Sequence, residues 1–135
     1  MIRLLQFLNE KNHFLEKFYA LNEAQILKME KGLFDELEVF YNQRDDLLKI
    51  IKYIDAEIHN EYRQHKDFSA KLSTDQKTIV RDGLRIKQAY VSRILEQDLK
   101  ILGMIDDAKS TIIKELQQIQ KARRALNGYR TPEAQ

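Results

Sequence analysis

The sequence predicts an all-α protein: an antiparallel helical hairpin followed by a long third helix, bundle-like or coiled-coil-like in character. Three observations lead there. Apolar residues recur every three or four positions almost end to end, as in helices with one face to bury. Only 4 Gly and 1 Pro interrupt the 135 residues. No stretch of any length alternates as a strand would. The expected organisation is a single helical domain over 1–127, with helices at about 2–31, 33–65 and 74–127 and a flexible tail at 128–135.

The first helix carries Leu4, Leu8, Leu15, Phe18 and Leu21 on one stripe, continued by Ala24 and by Leu27 or Ile26, with Phe7 and Phe14 widening it. Gly32 is its natural stop, because glycine takes the left-handed conformation that closes a helix. The second helix restarts within a residue or two. Its stripe is Leu33, Leu37, Phe40, Leu47, Ile51, Ile54, Ile58 and Tyr62. Asp35 and Glu36 in its first turn suit the positive end of the helix dipole. So short a connection favours a hairpin. A helix running on through Gly32 is the alternative, since one Gly costs only about 1 kcal/mol against Ala.

The third helix follows a polar stretch and opens on Ser73-Thr74-Asp75-Gln76, a capping box. In it the Ser73 hydroxyl accepts from the backbone and Gln76 reaches back. Ile94, Asp98, Ile101, Ile105, Ala108, Ile112, Leu116, Ile119, Arg123 and Leu126 then recur at helical spacing, all apolar but Asp98 and Arg123. About fifty residues at roughly 1.5 Å each span about 80 Å, longer than a compact bundle of this size needs. A bend at Gly83 or Gly103, a projecting segment and pairing with a second chain are the three ways to accommodate it. Gly128 and Pro132 signal the end.

Composition narrows the function. At 43% hydrophobic and 33% charged, the chain is too apolar for a disordered tail and too charged for a membrane protein. No apolar run approaches the roughly 20 residues of a spanning helix. Met1 to Leu8 begins like a signal peptide, but Asn9, Glu10 and Lys11 break it, so a cytoplasmic location and no membrane insertion are expected. Without Cys there is no disulfide, thiolate metal site or cysteine nucleophile. A net charge of +2 is too balanced to imply a nucleic-acid partner. The local exception, Lys121-Ala122-Arg123-Arg124, reads either as a basic turn complementing the helix dipole or as a contact for an acidic partner surface.

Chemistry is sparse. Glu10-Lys11-Asn12-His13 has the Glu-x-x-His spacing of di-iron bundles, which need two such motifs, and the chain has no second. Asp45-Asp46 and Asp106-Asp107 are sequence neighbours, and adjacent helical residues do not face each other. There is no phosphate loop, nucleophile elbow or zinc-protease motif. A non-enzymatic protein without metal or cofactor is the expectation. Aromatic residues crowd the first half, whereas the third helix is mainly aliphatic. That asymmetry suggests a packed hairpin and an open aliphatic face able to hold a partner's amphipathic helix, with Gln117, Gln118 and Gln120 as its polar rim.

The run Glu23 to Leu37 (an acidic-plus-leucine helix, Gly32, then Leu33 and Leu37), followed by Arg44-Asp45-Asp46-Leu47-Leu48, resembles the front hairpin of flagellar export chaperones of the FlgN and FliT type. Leu95 to Ile101, leading through Leu116, Ile119, Arg123 and Arg124 to Tyr129, is similar to their long final helix. The slightly basic balance departs from the acidic one common among type III export chaperones. The resemblance implies a cytoplasmic chaperone without ATPase activity. It would bind the disordered amphipathic end of a hook-associated or filament-cap protein, prevent premature assembly and deliver it to the export gate or its ATPase complex. It further implies a client groove at Ile105, Ile112, Leu116 and Ile119. Arg123, Arg124 and Tyr129 would dock on the export machinery, Tyr129 having a second reading as a tail anchor. The competing expectation is a structural coiled-coil adaptor working as a permanent homodimer or hetero-oligomer, with Asp98 and Arg123 controlling register.

Overall fold

The computed structural model describes the backbone of residues 2–65 and 67–134 and the side chains of 3–65, 67 and 69–127. Its elements are α1 (Ile2–Glu30), α2 (Leu37–Gln64), the single turn α3 (Phe68–Lys71) and α4 (Thr74–Ala134). Among the described residues there is no strand, and the fold is all-α. The chain divides into two compact units, Met1–Leu99 and Lys100–Gln135.

In the first unit, α1 closes as glycine chemistry dictates. Gly32 sits at φ 79°. Its N–H donates to the Met29 carbonyl at 2.9 Å, and the Leu33 N–H donates to that of Lys28 at 3.0 Å. These two bonds form a Schellman cap. The cap occupies the chain through Leu33, so α2 starts at Leu37, four residues later than the spacing predicts. Asp35 and Glu36 therefore precede its first turn. Glu36 accepts the first helical bond, from the Phe40 N–H at 3.0 Å, and its carboxylate takes the Lys28 ammonium at 2.8 Å across the corner. The hydrogen bond from Lys28, and then its charge, hold the Glu36 carboxyl below its ordinary range.

α1 and α2 are antiparallel: Arg3 approaches Glu57 and Glu61, and Lys11 meets Asp55 at 2.6 Å. The start of α4 lies parallel to α1, since Asn12 bonds Gly83 and Asn22 bonds Asp98. The unit is thus an up-down-up trio. Leu15, Phe18, Ile51 and Ile94 form one core cluster, with Tyr19, Leu47 and Tyr90 packed on it. Leu4 and Leu8 form another, covered by Ile58, Leu72 and Val80. On α1 the buried choice is Ile26, not Leu27, while Leu37 and Leu47 are only half-buried.

α4 opens on the predicted capping box: the Gln76 N–H donates to Ser73 Oγ at 3.1 Å, and the Ser73 N–H donates to Gln76 Oε1 at 3.0 Å. The helix continues through Gly83 and Gly103 and extends to Ala134, past Gly128 and Pro132. A glycine that keeps helical geometry costs only about 1 kcal/mol against Ala, so Gly83 and Gly103 are carried within the helix, whereas Gly32 ends α1 by taking positive φ. In the second unit Ile101 is buried and Ile105 and Ala108 are half-buried. Every side chain from Lys109 to Asn127 is exposed.

A candidate binding face on the long helix

Helical spacing decides which side chains of α4 share a face. With about 100° between successive residues, Leu102, Ile105, Lys109, Ile112, Leu116, Ile119, Arg123 and Leu126 fall within an arc of roughly 120°. The four groove residues the resemblance implies, Ile105, Ile112, Leu116 and Ile119, are therefore neighbours on one surface. Ile105 is half-buried; Ile112, Leu116 and Ile119 are 55%, 53% and 49% exposed. Leu126 extends the same face at 59%. Partly exposed aliphatic side chains, each with a neighbour three or four residues on, make an apolar strip that water wets at a cost.

Two cations lie inside that arc. Arg123 sits almost in line with Ile105, and Lys109 lies beside Ile105 and Ile112. Among the described residues neither makes an ion pair. Arg124 is also exposed but points about 100° from Arg123, at the margin of the face. The expected docking set is thus divided, Arg123 within the strip and Arg124 beside it. The side chain of Tyr129 lies outside the described residues. Lys109 is the residue sequence reading missed, although the spacing that selects Ile112 and Leu116 selects it too.

The first unit holds a different cluster, a polar seam among α1, α2 and α4. Arg44 Nη1 and Nη2 donate to Asp98 Oδ1 and Oδ2, each at 2.8 Å. Asn22, 0% exposed, donates to Asp98 Oδ1 at 3.1 Å. The guanidinium stands 5.0 Å over the Phe18 ring, within cation–π range. One step along α4, Gln97 donates to the Tyr19 carbonyl at 3.1 Å and to Glu23 at 2.8 Å. Here no nucleophile stands beside a base, so the arrangement positions helices and offers no evident chemistry. Asp98 had marked itself by breaking the apolar stripe. Asn22 had not, although Leu15, Phe18, Asn22, Ile26 and Met29 form an unbroken series at helical spacing.

The histidines form no centre: His13 lies edge-on to the Phe14 ring and His65 approaches Glu61 at 3.5 Å. Among the described residues no three His, Cys, Asp or Glu side chains could hold a metal ion. Nor, among them, is any helix long and apolar enough to cross a membrane. Comparison with protein-family models, with curated proteins and with solved structures returns no match.

Proposed function

We propose that the protein is a cytoplasmic, non-enzymatic chaperone for flagellar export. It holds the disordered amphipathic end of a hook-associated or filament-cap protein and passes it to the export gate or its ATPase complex. The observation that carries this reading is the exposed strip from Ile112 to Leu126 on α4, joined to the sequence resemblance of the hairpin and the final helix. A client segment folding onto such a strip loses chain entropy as it orders, so binding is moderate and reversible, as hand-over requires. Arg123, Arg124 and Tyr129 are the residues assigned to docking on the export machinery.

Affinity capture of the tagged protein from its native cells, with the bound proteins identified by mass spectrometry, tests the proposal. Recovery of a hook-associated or cap protein, lost with Leu116→Asp, is the expected result. Capture of no flagellar component would overturn it. A second reading, a structural coiled-coil adaptor, draws on the strict seven-residue column Ile105, Ile112, Ile119 and Leu126. That reading requires a permanent oligomer whose size is unchanged by added client.

A further inference from the structure

The strip on α4 is apolar with a charge rule written into it. Leu102, Lys109, Leu116 and Arg123 form one seven-residue column and Ile105, Ile112, Ile119 and Leu126 the other, so the first column alternates leucine with a cation. Covering the strip brings those cations into a poorly hydrated seam, where an unmatched charge is costly and a matched one is not. From Leu102 to Leu126 the chain carries Lys109, Lys114, Lys121, Arg123 and Arg124 against Asp106, Asp107 and Glu115, and the acids lie off the two columns.

A second copy fits this rule badly. A parallel in-register pair sets Lys109 on Lys109 and Arg123 on Arg123. Lys109 and Arg123 also lie seven residues either side of Leu116, so an antiparallel pair centred on Leu116 sets Lys109 against Arg123. Both alignments that stack Leu116 on itself join like charges, which disfavours them. We infer that the α4 face takes an acidic amphipathic helix, one that sets carboxylates opposite Lys109 and Arg123 within an otherwise apolar seam. The inference rests on the reading of α4 as a client-binding face and names the chemistry of the client. Because the two cations are symmetric about Leu116, a helix with two carboxylates fourteen residues apart meets both of them in either direction.

The probes are two synthetic amphipathic peptides of about 25 residues, long enough to span Leu102 to Leu126. Both have a leucine seam. One has glutamates at two seam positions fourteen residues apart, the other lysines there. Fluorescence anisotropy with the full chain at low salt should show the acidic peptide binding about tenfold more tightly, with added salt narrowing the gap. The Lys109→Glu/Arg123→Glu double variant should reverse the order. Both side chains are exposed, and circular dichroism checks that the variant keeps its helicity. Equal binding of the two peptides, binding of neither, or an order that survives the reversal overturns the inference. So does sedimentation showing a dimer that Ile112→Asp dissolves, which would make the occupant a second copy. The peptides contain no flagellar sequence. Failure of the charge rule therefore leaves the capture experiment standing, and failure of capture leaves the peptide result standing.

Discussion

Arg44 on α2 grips both carboxylate oxygens of Asp98 on α4 at 2.8 Å, with the buried amide of Asn22 from α1 closing on the same carboxylate. Three helices thus meet at one anion. A two-bond Arg–carboxylate pair fixes orientation as well as distance, so it sets the longitudinal register of α4 against the hairpin. Hydrophobic contacts, being non-directional, set it less sharply.

Removing one member leaves the other half-buried and unmatched. Both side chains are 20% exposed, between the surface pairs that contribute under about 1 kcal/mol and the buried ones whose disruption costs about 3–5. Asp98→Ala is expected to cost about 2–3 kcal/mol in urea unfolding. The Arg44→Ala/Asp98→Ala double variant should lose clearly less than the sum of the singles. Strict additivity would mean the two groups do not interact in solution.

At the hairpin corner the Lys28 ammonium holds the Glu36 carboxyl below its ordinary value of 4.5. A carboxyl depressed in the folded state favours folding above its unfolded value, and that contribution disappears as pH falls through the folded value. Proton titration followed by carbon NMR should place Glu36 below the ordinary glutamate value of 4.5. Lys28→Gln should return it towards that value. An unchanged titration would remove the ion pair from this corner.

The three described glycines should respond in different directions. Gly32, at φ 79°, resists a side chain, so Gly32→Ala is expected to destabilise by about 1–2 kcal/mol. A Cβ at Gly103 meets nothing within 4 Å, and Gly103→Ala should raise stability by up to about 1 kcal/mol. At Gly83 the added carbon lies 3.9 Å from Asn12 Nδ2, an ordinary contact, so alanine should be tolerated there as well. Thermal melts of the three variants decide it.

Core and candidate face should separate under mutation. Ile51→Ala and Ile54→Ala remove buried side chains and should cost about 2–5 kcal/mol. The half-buried Leu37 and Leu47 should cost less, about 1–2 kcal/mol each as alanine. Ile112→Asp or Leu116→Asp should leave the melting temperature close to wild type while abolishing binding of the proposed client. A large loss of helicity in either would show that the strip belongs to a core.

What the sequence made legible follows from how local each signal is. The Gly32 cap and the Ser73–Gln76 box are each complete within a few residues, and both formed as spacing implied. The apolar period identified the helices and most of the buried apolar residues of α1 and α2, but it passed over Met29 and the buried polar Asn22, Gln25 and Glu61, and it placed the exposed Leu33 and Tyr62 on the stripe. The start of α2 was misplaced because periodicity alone cannot tell Leu33, used in the cap, from the first turn of a helix. The partners of Asp98 were hidden for another reason. They stand 54 and 76 positions away; nothing local marks Arg44, and Asn22 is marked only by its place in the apolar series from Leu15 to Met29. The apolar column on α4 was legible through Leu126; where it ceases to be covered was not, since Ile101 and Ile112 look alike in sequence and differ only in their surroundings.

The parallel pairing of α1 with α4 bears on the order of assembly. Its hydrogen bonds join residues 71 to 78 positions apart, whereas the α1–α2 corner closes between Lys28 and Glu36, eight apart. Loop closure costs more entropy over seventy-odd residues than over eight, so the corner is the cheaper contact to make. Arg44 and Asn22 share an acceptor that enters the chain only at Asp98, so the seam that fixes three helices is complete only once nearly a hundred residues exist.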